Sequence, residues 1–343
     1  MRRTGHNPSS AMADELAESG EAVARLLTQN ALFREIARRI AKATPRLAVL
    51  CGRGSSGHAG VYLRYLFETR CALLGSAAAP SVFTAYGKRP DMGGTLFVVI
   101  SQSGRSPDLL TATEAARMQG ALTLALVNDV DSPVAQAAEL VLPVLAGPER
   151  SVAATKSVIA AMAAGAMLVA HLEPDDALRT AIGRWPERLN AALSCDWTEW
   201  SASLAHAPAA FVAGRGYGFG PAREIALKLA ETLRMPALGY SAAELRHGPR
   251  AAINPRTPVL LLRQDDRSAD MVDDLADELV AGGETVFVAG GSRSRLPWIG
   301  DDHPLCDPVT LLMPAYRAIE RAARLKGFDP DRPPHLEKVT RTF

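Results

Sequence analysis

A repeated order of strands, glycine-rich loops and helices is the feature of this sequence that most limits its fold. The motif Gly-Arg-Gly at residues 52–54 follows an apolar run and recurs at residues 214–216, an offset of 162 positions. The same offset aligns two further strand-like runs: TLFVVI at residue 95 with TPVLLL at 257, and LTLALV at 122 with ETVFVA at 284. Three elements that share one offset indicate two copies of one α/β unit.

Each copy alternates short apolar runs with helical runs, which is typical of a parallel sheet covered by helices on both faces. The predicted fold class is therefore α/β, with two tandem three-layer domains. The strands predicted in the first copy lie at 47–51, 81–86, 95–100, 122–128 and 140–146. The predicted segments are an N-terminal helical segment at 1–44, domain one at 45–173, a helical connector at 174–203, domain two at 204–325 and a tail at 326–343.

Composition argues against several classes of function. The 38 basic and 37 acidic side chains give a net charge of +1, so no overall charge favours nucleic acid or an anionic membrane. The apolar run from Ser157 to Leu172 is short for a membrane span and predicts a buried helix. Four widely spaced cysteines and the absence of a signal-peptide pattern predict a reducing, cytoplasmic compartment. We expect no metal and no cofactor.

Residues 211–250 hold the strongest candidates for chemistry. A helix predicted from residue 221 or 222 to 233 carries Lys228 and Glu231, whose spacing places them on one helical face. His247 follows 16 residues after Glu231 in a turn-prone run. An amine, a carboxylate and an imidazole can together move protons and hold a carbonyl as an imine. A solvated helix pair and a surface histidine are the commoner meanings of such residues.

A hydroxyl-rich loop in the first copy predicts an anion site. The strand at 95–100 runs into the sequence SQSGRS at 101–106, and backbone N–H groups at the start of the next helix favour an anion there. Ser55 and Ser56 should end the neighbouring strand and converge on the same anion. In the second copy the matching loop carries Asp265 and Asp266, which would repel a phosphate. A simple helix cap is the alternative meaning of the serines.

A dinucleotide fingerprint is also present, as Gly52-x-Gly54-x-x-Gly57 after the first strand. The acidic residue expected after the second strand of such a unit is missing, since residues 69–90 contain no aspartate or glutamate. The sequence therefore argues against a nicotinamide cofactor.

Several motifs resemble the sugar isomerase (SIS) family, in the tandem arrangement of the isomerase half of glucosamine-6-phosphate synthase. They are SQSGRSPD at 101–108, ERSVAATK at 149–156, ALKLAE at 226–231, AELRHGP at 243–249 and LEKVT at 336–340. The resemblance implies that the sugar phosphate is held by Ser55, Ser56, Ser101, Gln102, Ser103 and Ser106. It also implies substrate contacts at Val152 and Ala154, where Ala154 replaces a serine of the family pattern.

The same resemblance implies the catalytic roles. Glu231 is similar to the base that moves a proton between C1 and C2, and Lys228 to the lysine beside it. His247 resembles the residue that opens the sugar ring and that comes from the neighbouring subunit, which implies a homodimer. Lys338 is similar to the tail lysine that forms an imine with the ketose, so the tail is expected to lie over the active site.

The start of the chain differs from the synthase pattern. It begins Met-Arg-Arg, its first cysteine is Cys51, and it shows no glutaminase half with an N-terminal cysteine. We therefore expect deamination of glucosamine 6-phosphate to fructose 6-phosphate and ammonia, and the tail resembles that of SIS-type deaminases. The alternatives are galactosamine-6-phosphate deamination, fructosamine-6-phosphate deglycation, plain aldose–ketose isomerisation, and a non-catalytic phosphosugar sensor. Such sensors often lose the base, so the presence of Glu231, His247 and Lys338 argues against a non-catalytic sensor.

Overall fold

The computed structural model describes residues 9–338. The first eight residues of the predicted N-terminal segment, and the last five of the tail, which include the end of the LEKVT motif, lie outside the described residues. Three helices precede the first sheet, and Ser10 caps the first of them by accepting a hydrogen bond from the backbone N–H of Ala13. These helices are α1 (Ala11–Ala17), α2 (Ser19–Leu27) and α3 (Asn30–Ala43).

The first copy forms a five-stranded parallel sheet with strand order β2-β1-β3-β4-β5. Its elements are β1 (Leu47–Cys51), α4 (Gly54–Arg70), β2 (Leu74–Ala77), α5 (Pro80–Thr84), β3 (Thr95–Ser101), α6 (Pro107–Met118), β4 (Leu122–Val127), α7 (Pro133–Ala137), β5 (Leu140–Pro143) and α8 (Lys156–Leu172). The predicted burial of α8 is confirmed, because all but its last two residues are buried.

Two local predictions in the first copy are wrong. The second strand is not at 81–86: it lies at Leu74–Ala77, and Pro80 begins a short helix, a position where its fixed φ is well tolerated. β2 is an exposed edge strand in which Leu74 is the one large apolar residue, so it gives little apolar signal. Ser55 and Ser56 do not end β1, because that strand stops at Cys51 and the chain begins α4 at Gly54, where φ is +48°.

A helical connector and the second copy follow. The connector holds α9 (Asp176–Ala192) and α10 (Thr198–His206). The second sheet is parallel and four-stranded, with order β7-β6-β8-β9. Its elements are β6 (Ala210–Gly214), α11 (Phe219–Leu233), β7 (Ala237–Ser241), α12 (Ala242–Arg246), β8 (Val259–Leu262), α13 (Ala269–Ala281), β9 (Val286–Ala289), α14 (Asp307–Thr310) and α15 (Leu312–Leu325).

The predicted α/β class with two repeated parallel sheets is confirmed, since the four strands β1 to β4 recur in the same order as β6 to β9. One central core joins the two sheets through α8, α9, α11 and α15, while a smaller apolar cluster covers the outer face of each sheet. Within residues 9–338, none of the helices is both long and apolar enough to span a bilayer.

The helices α4 and α11 pack against each other between the two sheets. Gly220 permits this contact, because a Cβ atom there would lie only 2.8 Å from the carbonyl oxygen of His58 and 2.9 Å from Cβ of Tyr62. The first turn of α4 is thereby brought against the middle of α11, which is where the candidate site lies.

Candidate active site

One face of α11 carries a buried cluster of charged side chains. Lys228 is fully buried, and its Nζ donates to Oγ of Ser55 at 2.9 Å and to Oε2 of Glu231. The same Nζ lies 3.3 Å from Oε1 of Glu224. The predicted pairing of Lys228 with Glu231 on one helical face is therefore present, and Glu231 keeps 20% of its side chain exposed.

Glu224 is the central residue of this cluster, and the sequence analysis missed it. Its carboxylate is fully buried and accepts hydrogen bonds from Oγ of Ser55 at 3.0 Å and from the hydroxyl of Tyr316 at 3.1 Å. Nδ1 of His58 lies 3.0 Å from its second oxygen. The spacing of four residues between Glu224 and Lys228 was the signal that could have revealed it.

The charges of this cluster stabilise one another. Burial acts to raise the pKa of Glu224, but Lys228, His58 and Ser55 outweigh it and hold that pKa below its usual value. Burial acts to lower the pKa of Lys228, but the carboxylates of Glu224 and Glu231 outweigh it and raise that pKa above its usual value. Lys228 is thus a buried ammonium, which donates hydrogen bonds and is not a free amine nucleophile.

A second group of residues forms an open cavity of about 170 Å³ beside the first turn of α4. We call it the serine pocket, and it is lined by Arg53, Gly54, Ser56, Ser101, Gln102, Ser103, Ser106, Leu109 and Lys338. It gathers every predicted phosphate residue except Ser55, whose hydroxyl turns to Lys228 and Glu224. Ser55 lines a narrower adjoining space of about 30 Å³ together with Ser56, Ser101, Gln102 and Ala154.

Two internal hydrogen bonds fix the shape of the loop after β3. Gly104 has φ of +63°, and its N–H donates to Oγ of Ser101 at 3.0 Å, which closes the loop tightly. Oγ of Ser103 accepts from the N–H of Arg105 at 3.3 Å. Ser106 occupies the N-cap position of α6, yet its hydroxyl makes no capping hydrogen bond. The simple cap that was the alternative for Ser106 is therefore not formed.

A guanidinium that the sequence analysis did not predict also lines the serine pocket. Nε of Arg53 donates to Oδ2 of Asp108 at 2.7 Å, and the Arg53 side chain is 51% exposed while that of Asp108 is 1% exposed. Asp108 thus fixes one edge of the guanidinium at the start of α4. The rest of the group adds positive charge where the resemblance places the sugar phosphate.

Lys338 reaches the serine pocket from the tail. Its Nζ donates to Oε2 of Glu149 at 2.9 Å and to the carbonyl oxygen of Ser151 at 2.6 Å. Burial acts to raise the pKa of Glu149, but Lys338 and hydrogen bonds from Ser157 outweigh it and lower that pKa. Glu149 is therefore an anion that anchors the tail lysine at the wall of the serine pocket.

Hydrogen bonds to Asp331 hold the described part of the tail. The carboxylate of Asp331 accepts from the N–H groups of Ala11 and Met12 at 2.8 and 2.7 Å, and its carbonyl oxygen accepts from Val152 N at 3.3 Å. Val152 therefore holds the tail through its backbone, whereas Ala154 lines the narrow space beside the serine pocket.

His247, unlike the other predicted catalytic residues, neither joins the Lys228 cluster nor lines the serine pocket. It follows the last residue of α12, it is exposed, and its imidazole makes no hydrogen bond or ion pair to any residue in the range 9–338. The next residue, Gly248, has φ of +118° and open space where a Cβ atom would lie. His247 therefore sits at an exposed turn.

Comparisons with known proteins agree with this architecture. The SIS domain model matches residues 42–171 and 203–295, one match for each sheet. Isomerizing glutamine–fructose-6-phosphate aminotransferase of Zymomonas mobilis subsp. mobilis is 32% identical over 308 residues, which are 83% of this chain and 50% of that protein. The chain thus spans about half the length of this curated relative.

Solved structures give the same result. A Silicibacter pomeroyi DSS-3 protein assigned as a phosphosugar isomerase is 37% identical, with a TM-score of 0.89 over 94% of this chain and 100% of that one. Glucosamine-6-phosphate deaminase of Thermotoga maritima shares the fold, with a TM-score of 0.77 at 22% identity over 97% of this chain and 100% of that one. The resemblance drawn from the sequence motifs is confirmed: the chain belongs to the SIS domain family and carries two copies of the domain.

Proposed function

We propose that this protein is an enzyme that moves a proton between C1 and C2 of a phosphosugar. The observation that carries the proposal is the position of Ser55 and Ser56 in the first turn of α4. Ser56 lines the serine pocket, while Ser55 contacts Lys228 and Glu224. A sugar whose phosphate is bound in the serine pocket would extend along this turn toward Glu231. The similarity to the Silicibacter pomeroyi protein supports this reaction class.

Glu231 is proposed as the base. It is the partly exposed carboxylate of the cluster, and the buried ammonium of Lys228 holds it by a direct hydrogen bond. A positive charge fixed beside the reacting carbons also stabilises the negative charge that develops on the substrate in the transition state. Glu224 contributes indirectly, because it keeps Lys228 charged and in place.

The specific reaction we propose is conversion of glucosamine 6-phosphate and water to fructose 6-phosphate and ammonia. Glu231 removes the proton from C2 of the open-chain aldose and returns it to C1, while a proton passes from the amine to O1, which leaves a hydroxyl on C1 and an imine at C2. Water then adds to C2 and the C–N bond breaks to release ammonia. Dilute free ammonia favours this direction by mass action. The fold shared with the Thermotoga maritima deaminase is consistent with the proposal.

Lys338 and His247 complete the proposed mechanism. Lys338 lines the serine pocket. We propose that its amine, once it leaves Glu149 and loses a proton, condenses with the carbonyl of a bound ketose to form an imine and release water. His247 is proposed to open the sugar ring in the site of a neighbouring subunit, so the working unit would be a homodimer. Its exposed position away from the Lys228 cluster supports this assignment.

The test is release of ammonia from glucosamine 6-phosphate by the purified protein, with fructose 6-phosphate measured in the same sample. Equal amounts of both products support the proposal. Glu231→Gln should abolish turnover while retaining phosphosugar binding, and an active variant would remove Glu231 from the mechanism. Binding without either product would overturn the deaminase assignment. Galactosamine 6-phosphate, fructosamine 6-phosphate and the simple aldoses would then separate another substrate from a non-catalytic sensor.

A further inference from the structure

A second cavity, of about 270 Å³, lies between α4, the end of β2 and the start of α11. It shares only Arg53 and Gly54 with the serine pocket, and it contains none of the serines of that pocket. Its charged and titratable lining groups are Arg53, His58, Arg64 and Arg223, and no acidic residue among those the structure describes lines it. We call it the arginine cavity.

Arg64 enters this cavity because β2 makes room for its aliphatic stem. A Cβ atom on Gly75 would lie 2.3 Å from Cγ of Arg64, so only glycine at this position lets the stem cross the strand as it does. Nε of Arg64 is buried and forms an ion pair with Oε1 of Glu68 at 3.4 Å without making a hydrogen bond. Glu68 thus holds the guanidinium in position, while its two terminal nitrogens make no hydrogen bond to any residue in the range 9–338.

The other polar side chains of the arginine cavity also keep nitrogen atoms that have no partner among the described residues. Arg223 is exposed, its guanidinium lies 5.8 Å from the ring centroid of Phe219, and it makes no hydrogen bond or ion pair to any residue that the structure describes. The hydrogen bond from Arg53 to Asp108 uses only Nε. His58 contacts Glu224 through Nδ1, which leaves Nε2 without a partner in the described chain.

We propose that the arginine cavity binds a small polyanion with phosphate or carboxylate groups, at a site separate from the serine pocket. Guanidinium groups pair with either kind of oxyanion through two parallel hydrogen bonds. The volume of the cavity is near the lower end of the range for small-molecule sites. His58 lines the arginine cavity and also contacts Glu224. A ligand that touches His58 would therefore be linked through it to the Lys228 cluster.

The proposal is tested by titrating pyrophosphate and citrate into the full-length protein by calorimetry at physiological salt. Pyrophosphate represents phosphate ligands and citrate represents carboxylate ligands. We expect at least one probe to bind, and Arg64→Gln and Arg223→Gln each to weaken it about tenfold or more. Arg256→Gln, which removes an exposed arginine elsewhere on the surface, should leave the affinity unchanged.

A second control separates the two anion sites. The double variant Ser103→Ala/Ser106→Ala alters the serine pocket and should leave binding to the arginine cavity intact. Absence of binding by both probes would overturn the proposal, and so would binding that the serine variant abolishes and the arginine variants retain. Because Arg64 and Arg223 lie on different helices, a folding defect in one variant leaves the other as an independent test.

Discussion

Glutamine substitutions at Glu224 and Glu231 should separate stability from catalysis. Both carboxylates contact the ammonium of Lys228 from the same helix, so the chemical change is identical. Glu224 is fully buried, however, whereas Glu231 is partly exposed. Glu224 also accepts hydrogen bonds from Ser55 and Tyr316 and contacts His58. A loss of turnover in both variants would not reveal their different roles, but the free energy of unfolding would.

The expected magnitudes follow from burial. Glu224→Gln leaves Lys228 buried with one carboxylate partner. The new amide N–H₂ group is itself a donor, so it cannot accept the hydrogen bonds that the carboxylate accepts. Breaking a buried ion pair in this way typically costs about 3–5 kcal/mol. Glu231→Gln leaves Lys228 paired with Glu224, and a partly exposed pair contributes about 1 kcal/mol or less. Glu224→Gln should therefore be less stable than Glu231→Gln by about 2–4 kcal/mol.

Urea denaturation followed by circular dichroism at pH 7 measures this difference, provided that both variants show the same slope as the wild type. Tyr316→Phe is a useful further control, because it removes one neutral donor to Glu224 and should cost about 1 kcal/mol. The reasoning would be refuted if the two glutamine variants lost equal stability, or if Glu224→Gln lost less than about 1 kcal/mol. Either result would mean that Glu224 is not the main anion stabilising Lys228.

Two further predictions concern pH and backbone geometry. Burial raises the pKa of Asp307 to about 6, so the folded state binds its proton more tightly than the unfolded state, and this carboxyl lowers stability as pH rises from about 4 to 7. Urea titrations of Asp307→Asn and the wild type give the difference between their free energies of unfolding at each pH. Relative to the wild type, the variant should gain about 3 kcal/mol of stability between pH 4 and 7. A difference that does not change with pH would contradict the raised pKa of Asp307. Gly104→Ala should raise KM for the sugar phosphate and destabilise the protein, because φ is +63° and the new Cβ would lie 2.0 Å from Oγ of Ser132. Gly87→Ala is the matched control, because Gly87 has φ of +59° and open space where the Cβ atom would lie. In urea titrations it should be more stable than Gly104→Ala by about 1–3 kcal/mol. Equal losses of stability in the two variants would show that the contact with Ser132 does not matter.

The parallel sheets were predictable from the sequence because buried parallel strands leave strong apolar runs. Residues 95–100 and 122–127 became β3 and β4, and both are almost wholly buried. Residues 74–77, with the sequence LGSA, became an exposed edge strand whose pairing with β1 is made by backbone hydrogen bonds. Such a strand has no hydrophobic pattern to detect, which is why it was placed seven residues too late. The sequence could also not show that α4 and α11 would touch.

The site was predictable where its residues are neighbours in the sequence. Lys228 with Glu231, and the serines of the loop after β3, share one helix face or one loop, so spacing alone placed them together. His58 and Tyr316 come from elements 166 and 92 residues away from Glu224, and only the folded chain brings them to it. Glu149 was visible as part of a motif, but its hydrogen bonds with Lys338 depend on the path of the tail.

The contact between α4 and α11 gives a physical reason for two copies of the domain in one site. Each helix follows the first strand of its own sheet, and Gly220 lets the two equivalent helices cross closely. The ammonium of Lys228 is buried between them, with Ser55 as acceptor from one copy and Glu224 as acceptor from the other. Both carboxylates that raise the pKa of Lys228 lie on α11, and the first copy adds the hydroxyl of Ser55 as a hydrogen-bond acceptor and the packing of α4 against α11. The copy that provides the serine pocket therefore also stabilises the lysine that positions Glu231, and the proposed binding and proton transfer depend on the same pair of helices.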